Sequence, residues 1–312
     1  MRIFYATDLH GSEVCFRKFI NAGKFYGADT LICGGDITGK MLVPIIRQKD
    51  GSYEATYYDQ KVVAKNDEEL QSLIKTIRNI GFYYVVTDTE KFSTFDREKV
   101  DRTFKKAMME TLRQWLALAE ERLKPAGIQC YMMPGNDDIF EVDDLLSNSD
   151  YVHFADGKVL KVGPFEMVTL GYANVTPWHC VRDIPEEEFA KKIDRLAEQV
   201  EHMDRCIFNI HCPPFDTGLD SAPELDENFK PKLEGGELKQ KSAGSTAVRR
   251  AIEKYQPMLG LHGHIHESKG VTRLGKTVLI NPGSEYQQSV LRGAVLDISE
   301  RRKKIKWTLT AG

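Results

Sequence analysis

The sequence has no strong charge of either sign: 43 Lys+Arg stand against 46 Asp+Glu over 312 residues, a formal net charge of -3. Dedicated nucleic-acid and anionic-membrane binders carry a marked basic excess, so neither partner is expected. Long apolar runs are also missing. No window approaches the roughly 18 uninterrupted apolar residues of a membrane span, and the apolar stretch from Ile3 breaks at Thr7 and Asp8, too early for a signal peptide. The first residues are therefore expected to belong to the fold. Cysteine is sparse: of the six, Cys33, Cys130 and Cys206 lie in strand-like runs and none forms a Cys-x-x-Cys pair, which argues against zinc or redox motifs of that type and for reduced thiols in the cytoplasm. A chain of this length buries about three quarters of its unfolded surface, so it needs no staple merely to fold.

What is present is an alternation of strand and helix patterns. Arg2 to Ala6, a helical pattern with Val14, Phe16, Phe19 and Ile20, and Thr30 to Cys33 make a β-α-β unit with polar residues at both strand ends. Residues of about 39–124 read as an insertion: a hairpin (Val43 to Ile46, Tyr53 to Tyr58), a helix carrying Leu70, Leu73, Ile74 and Ile77, and a longer helix from about Asp96 to Leu123. The stripe Val100, Phe104, Met108, Leu112, Trp115 and Ala119 on that helix is read as core packing. The α/β pattern resumes at Gln129 to Met133 and continues through Val152 to Phe154, Val159 to Val162, Phe165 to Leu170, a charged helix from Glu186 to His202, and Cys206 to Ile210. A polar stretch of about 213–244 reads as a long loop. A helix near Ser245, the run to Leu261 and three further strands follow, with Arg301-Arg302-Lys303-Lys304 as a solvated turn between the last two.

Five strand ends present metal-ligand residue types: Asp8 with His10, Asp36, Asn136, His211, and His264 with His266. In parallel sheets ligands bind outside the carboxyl ends of strands. Asp-x-His and His-x-His place two ligands on one face of an extended segment, and the glycines beside Asp36, Asn136 and His264 allow close backbone approach. An isolated histidine would carry little weight, and His153, His179 and His202 are read as structural, His262 as a hydrogen-bond partner of a ligand, and Arg249-Arg250 as a solvated face. Ligands as distant as Asp8 and His266 must meet at one centre, so residues 1–312 are read as one domain with the insertion as a side elaboration.

In their order, Asp8-x-His10, Gly35-Asp36, Gly135-Asn136-Asp137-Asp138, His211 and Gly263-His264-Ile265-His266 resemble the signature of the calcineurin-like metallophosphoesterase superfamily, most nearly the predicted phosphoesterases related to the Icc cyclic-nucleotide phosphodiesterase. The resemblance spans the chain apart from the insertion and the long loop. It implies a four-layer αββα sandwich of two mixed sheets flanked by helices. It also implies a binuclear site: Asp8, His10 and His266 on one metal, Asn136, His211 and His264 on the second, and Asp36 bridging. Imidazole and carboxylate ligands suit divalent Mn first, with Fe, Ni or Zn as alternatives, over Ca. Two dications less two carboxylates and a bridging hydroxide leave a centre of about +1, which favours an anionic, small phosphoester substrate attacked by that hydroxide.

One position departs from the signature: Asp137 stands where many members carry the histidine that protonates the leaving group. Asn136 and Asp137 are thus the candidate catalytic residues, Asp137 as an acid if its pKa is raised, or else in a supporting or helix-capping role. Phosphodiesters are placed ahead of monoesters. A nuclease and a non-catalytic scaffold on the same fold are the other readings, and self-association through the insertion is an open expectation.

Overall fold

A computed structural model describes residues 1–299 and 304–312, so of the basic cluster Arg301-Arg302-Lys303-Lys304 only Lys304 falls within it. The β-α-β unit forms as expected from β1 (Arg2–Ala6), α1 (Glu13–Tyr26) and β2 (Thr30–Gly34), with β1 and β2 parallel. Both faces of these strands are buried: Ile3, Tyr5 and Ile32 point one way, Phe4, Ala6, Leu31 and Cys33 the other. That is why they read as continuous apolar runs without polar alternation. Ser12 caps α1 by accepting from the Cys15 N–H, and Gly27 closes it at φ 63°.

The insertion is more elaborate than a hairpin with helices. It contains β3 (Leu42–Arg47), β4 (Tyr53–Tyr57), β5 (Gln60–Ala64), α2 (Asp67–Asn79), β6 (Tyr83–Asp88), a short α3 (Thr89–Phe92) and α4 (Arg97–Leu123). Its four strands form one sheet in the order β5-β4-β3-β6, with β6 parallel to β3. Val43, Ile45, Leu70, Leu73, Ile77 and Phe82 pack there as a cluster of their own. The stripe of α4 does pack into the main core from Phe104 onward, with Trp115 stacked on Phe16 at 4.1 Å between ring centroids, while Val100 stays exposed.

The remaining elements are β7 (Gln129–Met133), α5 (Glu141–Ser147), β8 (His153–Phe154), β9 (Lys158–Val162), β10 (Phe165–Leu170), the short pair β11 (Ala173–Asn174) and β12 (Asp183–Ile184), α6 (Glu186–Ala197), β13 (Cys206–Ile210), β14 (Ser221–Pro223), β15 (Leu233–Glu234), β16 (Glu237–Leu238), β17 (Gln240–Ser242), α7 (Thr246–Tyr255), β18 (Leu259–Leu261), β19 (Gly270–Leu274), β20 (Thr277–Asn281), β21 (Arg292–Ser299) and β22 (Lys304–Ala311). Two six-stranded mixed sheets result, in the orders β22-β21-β1-β2-β7-β8 and β19-β20-β18-β13-β10-β9. One apolar cluster joins the first sheet to α1, α4 and α5, a second lies between the sheets, and a third joins the second sheet to α6 and α7. The layers are therefore helix, sheet, sheet, helix, the four-layer sandwich expected from the sequence.

Two sequence expectations are corrected. The polar stretch 213–244 is not a plain loop, since β14 pairs with β17 and β15 with β16 as nested short hairpins. The charged helix stops at Ala197 instead of His202. Among the described residues no helix is long and apolar enough to cross a membrane, and all six cysteines are free.

Glu13 ties the insertion to the core. Its carboxylate accepts from Trp115 Nε1 of α4 at 2.7 Å, Arg78 Nη2 of α2 at 3.0 Å and Arg17 Nε at 2.6 Å. Burial pushes its pKa up, but these three donors outweigh burial and hold it below the usual value. A depressed carboxyl pKa contributes stability that is present above the unfolded value, about 4.3, and lost as pH falls through the folded value. Glu13→Gln should cost roughly 1–2 kcal/mol near neutral pH, the half-exposed arginines being screened. Denaturant melts from pH 7 to 3 should show the cost shrinking below about pH 4; a cost independent of pH would contradict the ionic role.

Candidate metal centre

The site is built where the carboxyl ends of β1, β2 and β7 in one sheet meet those of β13 and β18 in the other. The parallel pairing of the first two strands runs on beyond them: the N–H groups of Asp8, His10 and Gly11 donate to the carbonyls of Gly35, Asp36 and Ile37 at 2.8–2.9 Å. Across the sandwich the Gly263 N–H donates to the His211 carbonyl at 2.9 Å, and the His264 N–H to the Asp8 carboxylate at 3.1 Å. A Cβ on Gly135 would lie 2.1 Å from Asp36 Oδ1, and one on Gly263 2.4 Å from Asp8 Oδ2. These two glycines are therefore required by close approach to the carboxylates.

The candidate ligands converge. The ligand atoms of Asp8, His10 and His266 lie within 4.8 Å of one another, as do those of Asp36, His211 and His264, and those of His10, Asp36 and Asp137. Asp36 Oδ2 sits between the groups, 3.5 Å from His10 Nε2 and 3.3 Å from His211 Nε2. Asp8, His10, Asp36 and His211 are buried, while His264 and His266 are partly exposed, the His266 side chain at 28 %. Asp8, His10, Asp36 and His264 all have positive φ, from 41° to 65°. Non-glycine residues there typically cost about 1–3 kcal/mol each and persist only where the surroundings over-determine them, most often at functional sites.

Without a cation the polar groups are incompletely partnered. His10 Nε2 and His266 Nε2 face each other at 3.0 Å. His211 Nδ1 is spent on the Gly34 carbonyl at 2.8 Å, which leaves Nε2 as the lone pair aimed at Asp36 and in no hydrogen bond. Asn136 Nδ2 donates to Asp183 Oδ1 at 2.9 Å while its buried Oδ1 has no partner. Burial pushes Asp36 up to about 6, with Asp137 and Asp8 adding to it against His211. At Asp8 burial acts the same way, but His266, His211 and His10 outweigh it and hold the carboxyl well below the usual range. Orphaned buried lone pairs are costly, and this mixture of imidazole, carboxylate and amide oxygen is a donor set that borderline divalent ions accept. The residues present fit a metal centre.

The structure also gathers residues that the motifs did not single out. Lys40 forms an ion pair with Asp137, and Cys180 Sγ donates to Asp137 Oδ1 at 2.8 Å. Burial raises the Asp137 pKa, but Lys40 and His10 overcome it and hold the carboxyl far below its usual range, the ionised state, which accepts a proton and does not donate one. Nor does Asp137 cap the next helix: the N-cap of α5 is Phe140, and no side chain caps it. Its neighbour Asp138 is the structural carboxylate, fully buried and accepting from the N–H groups of Ile37, Thr38 and Gly135 at 2.8–2.9 Å. Arg182, 1 % exposed, clamps the same loop: Nε donates to the Asp138 carbonyl at 2.9 Å, Nη2 to the Ile139 carbonyl at 3.3 Å and to Asp143 at 2.6 Å, and Nη1 reaches Asp156 at 3.4 Å. His262 bonds the Ile210 carbonyl at 2.8 Å and not a ligand side chain, and burial lowers its pKa to about 4. Arg249 is spent on the Phe215 and Asp216 carbonyls.

No family model matches the chain. An uncharacterized protein of Methanocaldococcus jannaschii is 31% identical over 153 residues, 48% of this chain and 62% of that protein. The match thus spans less than two thirds of the relative. One solved crystal structure superposes with a TM-score of 0.56 at 15% identity, covering 98% of each chain. Another, of a novel archaeal phosphodiesterase, covers 99% of this chain and 100% of that one at 11% identity and a TM-score of 0.35. At these identities the likeness is one of fold. The four-layer sandwich of two mixed sheets is the fold that the sequence resemblance implies.

Proposed function

We propose that the protein is a divalent-metal-dependent phosphoester hydrolase, and a phosphodiesterase before a monoesterase. It would act in the cytoplasm on small phosphoesters, as one domain bearing the 39–124 insertion. The observation that carries this reading is the convergence of Asp8, His10 and His266 in one cluster and of Asp36, His211 and His264 in another, with buried lone pairs at His211 Nε2 and Asn136 Oδ1 left unpartnered. Asp8, His10 and His266 would hold one cation, Asn136, His211 and His264 the other, with Asp36 shared. When bound, two such ions, Mn²⁺ first and Fe, Ni or Zn as alternatives, supply Lewis acidity toward phosphoryl oxygens and a water of lowered pKa.

The protein's own residues orient the rest. Asp183 fixes the Asn136 amide so that its oxygen turns inward. Asp137, ionised, holds the Lys40 ammonium at the edge of the cluster, a cation suited to a phosphoryl or leaving-group oxygen. In that role Asp137 does not replace the missing imidazole as proton donor. Esters with good leaving groups are favoured accordingly. A scaffold on this fold would have no need to keep every ligand position filled.

The test is hydrolysis of bis-p-nitrophenyl phosphate by protein stripped with chelator and reloaded with Mn²⁺. Activity should return with metal and exceed that on p-nitrophenyl phosphate. Failure of Mn, Fe, Ni and Zn to restore hydrolysis of any phosphoester would refute the reading.

A further inference from the structure

Metal-ligating histidines usually spend their second ring nitrogen on a carbonyl or carboxylate, which fixes the plane of the ring. His211 does so through the Gly34 carbonyl at 2.8 Å. His10 does not: its buried Nδ1 has no hydrogen-bond partner among the described residues, although its Nε2 stands 3.0 Å from His266 Nε2, itself 3.3 Å from Asp8 Oδ1. Its ring is held by aromatic packing instead. The Tyr286 ring, 9% exposed, lies 4.7 Å from the His10 ring between centroids and meets the His266 ring edge-on at 5.9 Å and 87°, while the two imidazoles are 4.9 Å apart. Ring pairs attract in tilted and edge-to-face arrangements over about 4.5–7 Å. The rings of His211 and His264 pack on each other at 5.4 Å, apart from this triangle. The Tyr286 hydroxyl meets Gln287 Nε2 at 3.3 Å and no ligand, so it is the ring that does the holding.

The insertion backs the triangle. Gly81, in the turn between α2 and β6, has φ 88°, and a Cβ there would lie 2.2 Å from the His10 carbonyl oxygen and 3.1 Å from Tyr286 Cε2. Ser12 Oγ donates to the Asn79 carbonyl at 2.6 Å, and the Tyr83 hydroxyl accepts from the Gly39 N–H at 2.9 Å. These bonds fasten the turn to the loops that carry His10 and Asp36. Resting on the divalent-metal reading of the site, we propose that Tyr286 is a positioning residue for the Asp8–His10–His266 cation alone, set in place by the Gly81 turn, so that the insertion governs occupancy of one of the two metal positions.

Equilibrium binding of Mn²⁺ to chelator-stripped protein tests this without turnover. The parent should bind two ions. Tyr286→Leu should weaken one of them by roughly 10–100-fold, as removal of a group that orients a ligand typically does, and leave the other within about twofold. Tyr286→Phe, which keeps the ring, should bind both like the parent. Adding His10→Ala to Tyr286→Leu should cost nothing further at the weakened position, whereas adding His264→Ala should leave no tightly held ion. Tyr286→Met, whose unbranched chain fills irregular gaps, repeats the measurement if the leucine variant does not fold. Equal weakening of both ions, no weakening in Tyr286→Leu, or a loss in Tyr286→Phe as large as in Tyr286→Leu overturns the assignment. A parent that binds no ion, or whose binding His10→Ala leaves intact, overturns it too. The expected binding pattern in a protein that hydrolyses no phosphoester would instead sink the hydrolase reading and leave Tyr286 in its role.

Discussion

Asp36→Asn should reduce Mn²⁺-supported diester hydrolysis by at least about 10³-fold, corresponding to roughly 4 kcal/mol of lost transition-state stabilisation. The substitution is nearly isosteric, so the effect isolates charge. Asp36 Oδ2 lies 3.5 Å from His10 Nε2 and 3.3 Å from His211 Nε2, nearer to both than Asp8 Oδ1, which is 3.9 Å from each. An amide in its place supplies a weaker acceptor to either cation, or turns its NH₂ toward them. Metal content should fall in parallel, from up to two ions per chain to one or fewer by elemental analysis. A third readout avoids turnover altogether. Ligands that bind only the folded state stabilise it by RT ln(1 + [L]/Kd), about 2.7 kcal/mol at a hundredfold excess over Kd, so Mn²⁺ should raise the Tm of the parent and raise that of the variant much less. Full activity with normal metal content in Asp36→Asn would remove Asp36 from its shared position.

Arg182→Leu should destabilise the protein by about 3–5 kcal/mol, the usual result of stranding buried charges. The guanidinium is 1 % exposed, and Asp156, which it faces, is 8 % exposed. Burial raises the Asp156 pKa, which Arg182 offsets. The substitution also strips donors from the Asp138 and Ile139 carbonyls. Arg182→Lys should recover only a small part, because one ammonium cannot reproduce a planar fork that reaches two carboxylates and two carbonyls. Denaturant melts measure the effect, and a loss under about 1 kcal/mol would contradict the clamp. The Arg182 backbone N–H, which the substitution keeps, donates to the Asn136 carbonyl at 3.2 Å, so a folded variant in which the loss of the side-chain clamp shifts this loop should bind Mn²⁺ more weakly than the parent.

The candidate ligands were legible because each falls at a strand end, all but His211 within a motif of two to four positions, where residue type and spacing carry the information. What holds the ligands was not. The positive φ at Asp8, His10, Asp36 and His264 arises from long-range pairing of loops and leaves no local mark, since aspartate and histidine occupy many conformations. Arg182 sits in a polar segment with nothing to distinguish it from a surface residue, and its burial is set by Asp143 and Asp156, 39 and 26 positions away. Lys40 follows an unremarkable Thr-Gly pair, and its importance is set by Asp137 across the sheet. In the insertion, β3 and β4 were readable as a hairpin, but β6 pairs in parallel with β3 from 41 positions away at Leu42 and Tyr83, a partner that no turn signal announces. The hairpins of 221–242 escaped notice because strands of two or three polar residues have no alternation to detect.

The position of β1 between β2 and β21 has a consequence for synthesis. Residues 2–5 pair with residues 294–297 on one side, and residues 3–6 pair with residues 30–33 on the other. During translation at about 5–20 residues per second, one edge of this strand waits roughly 15–60 s for its partner. The ribosome thus carries a half-finished sheet with an open, apolar border until β21 has emerged. Sequence-distant pairing of this kind is slow and exposed to association between nascent chains, which makes β21 and β22 the strands that seal this edge of the sheet.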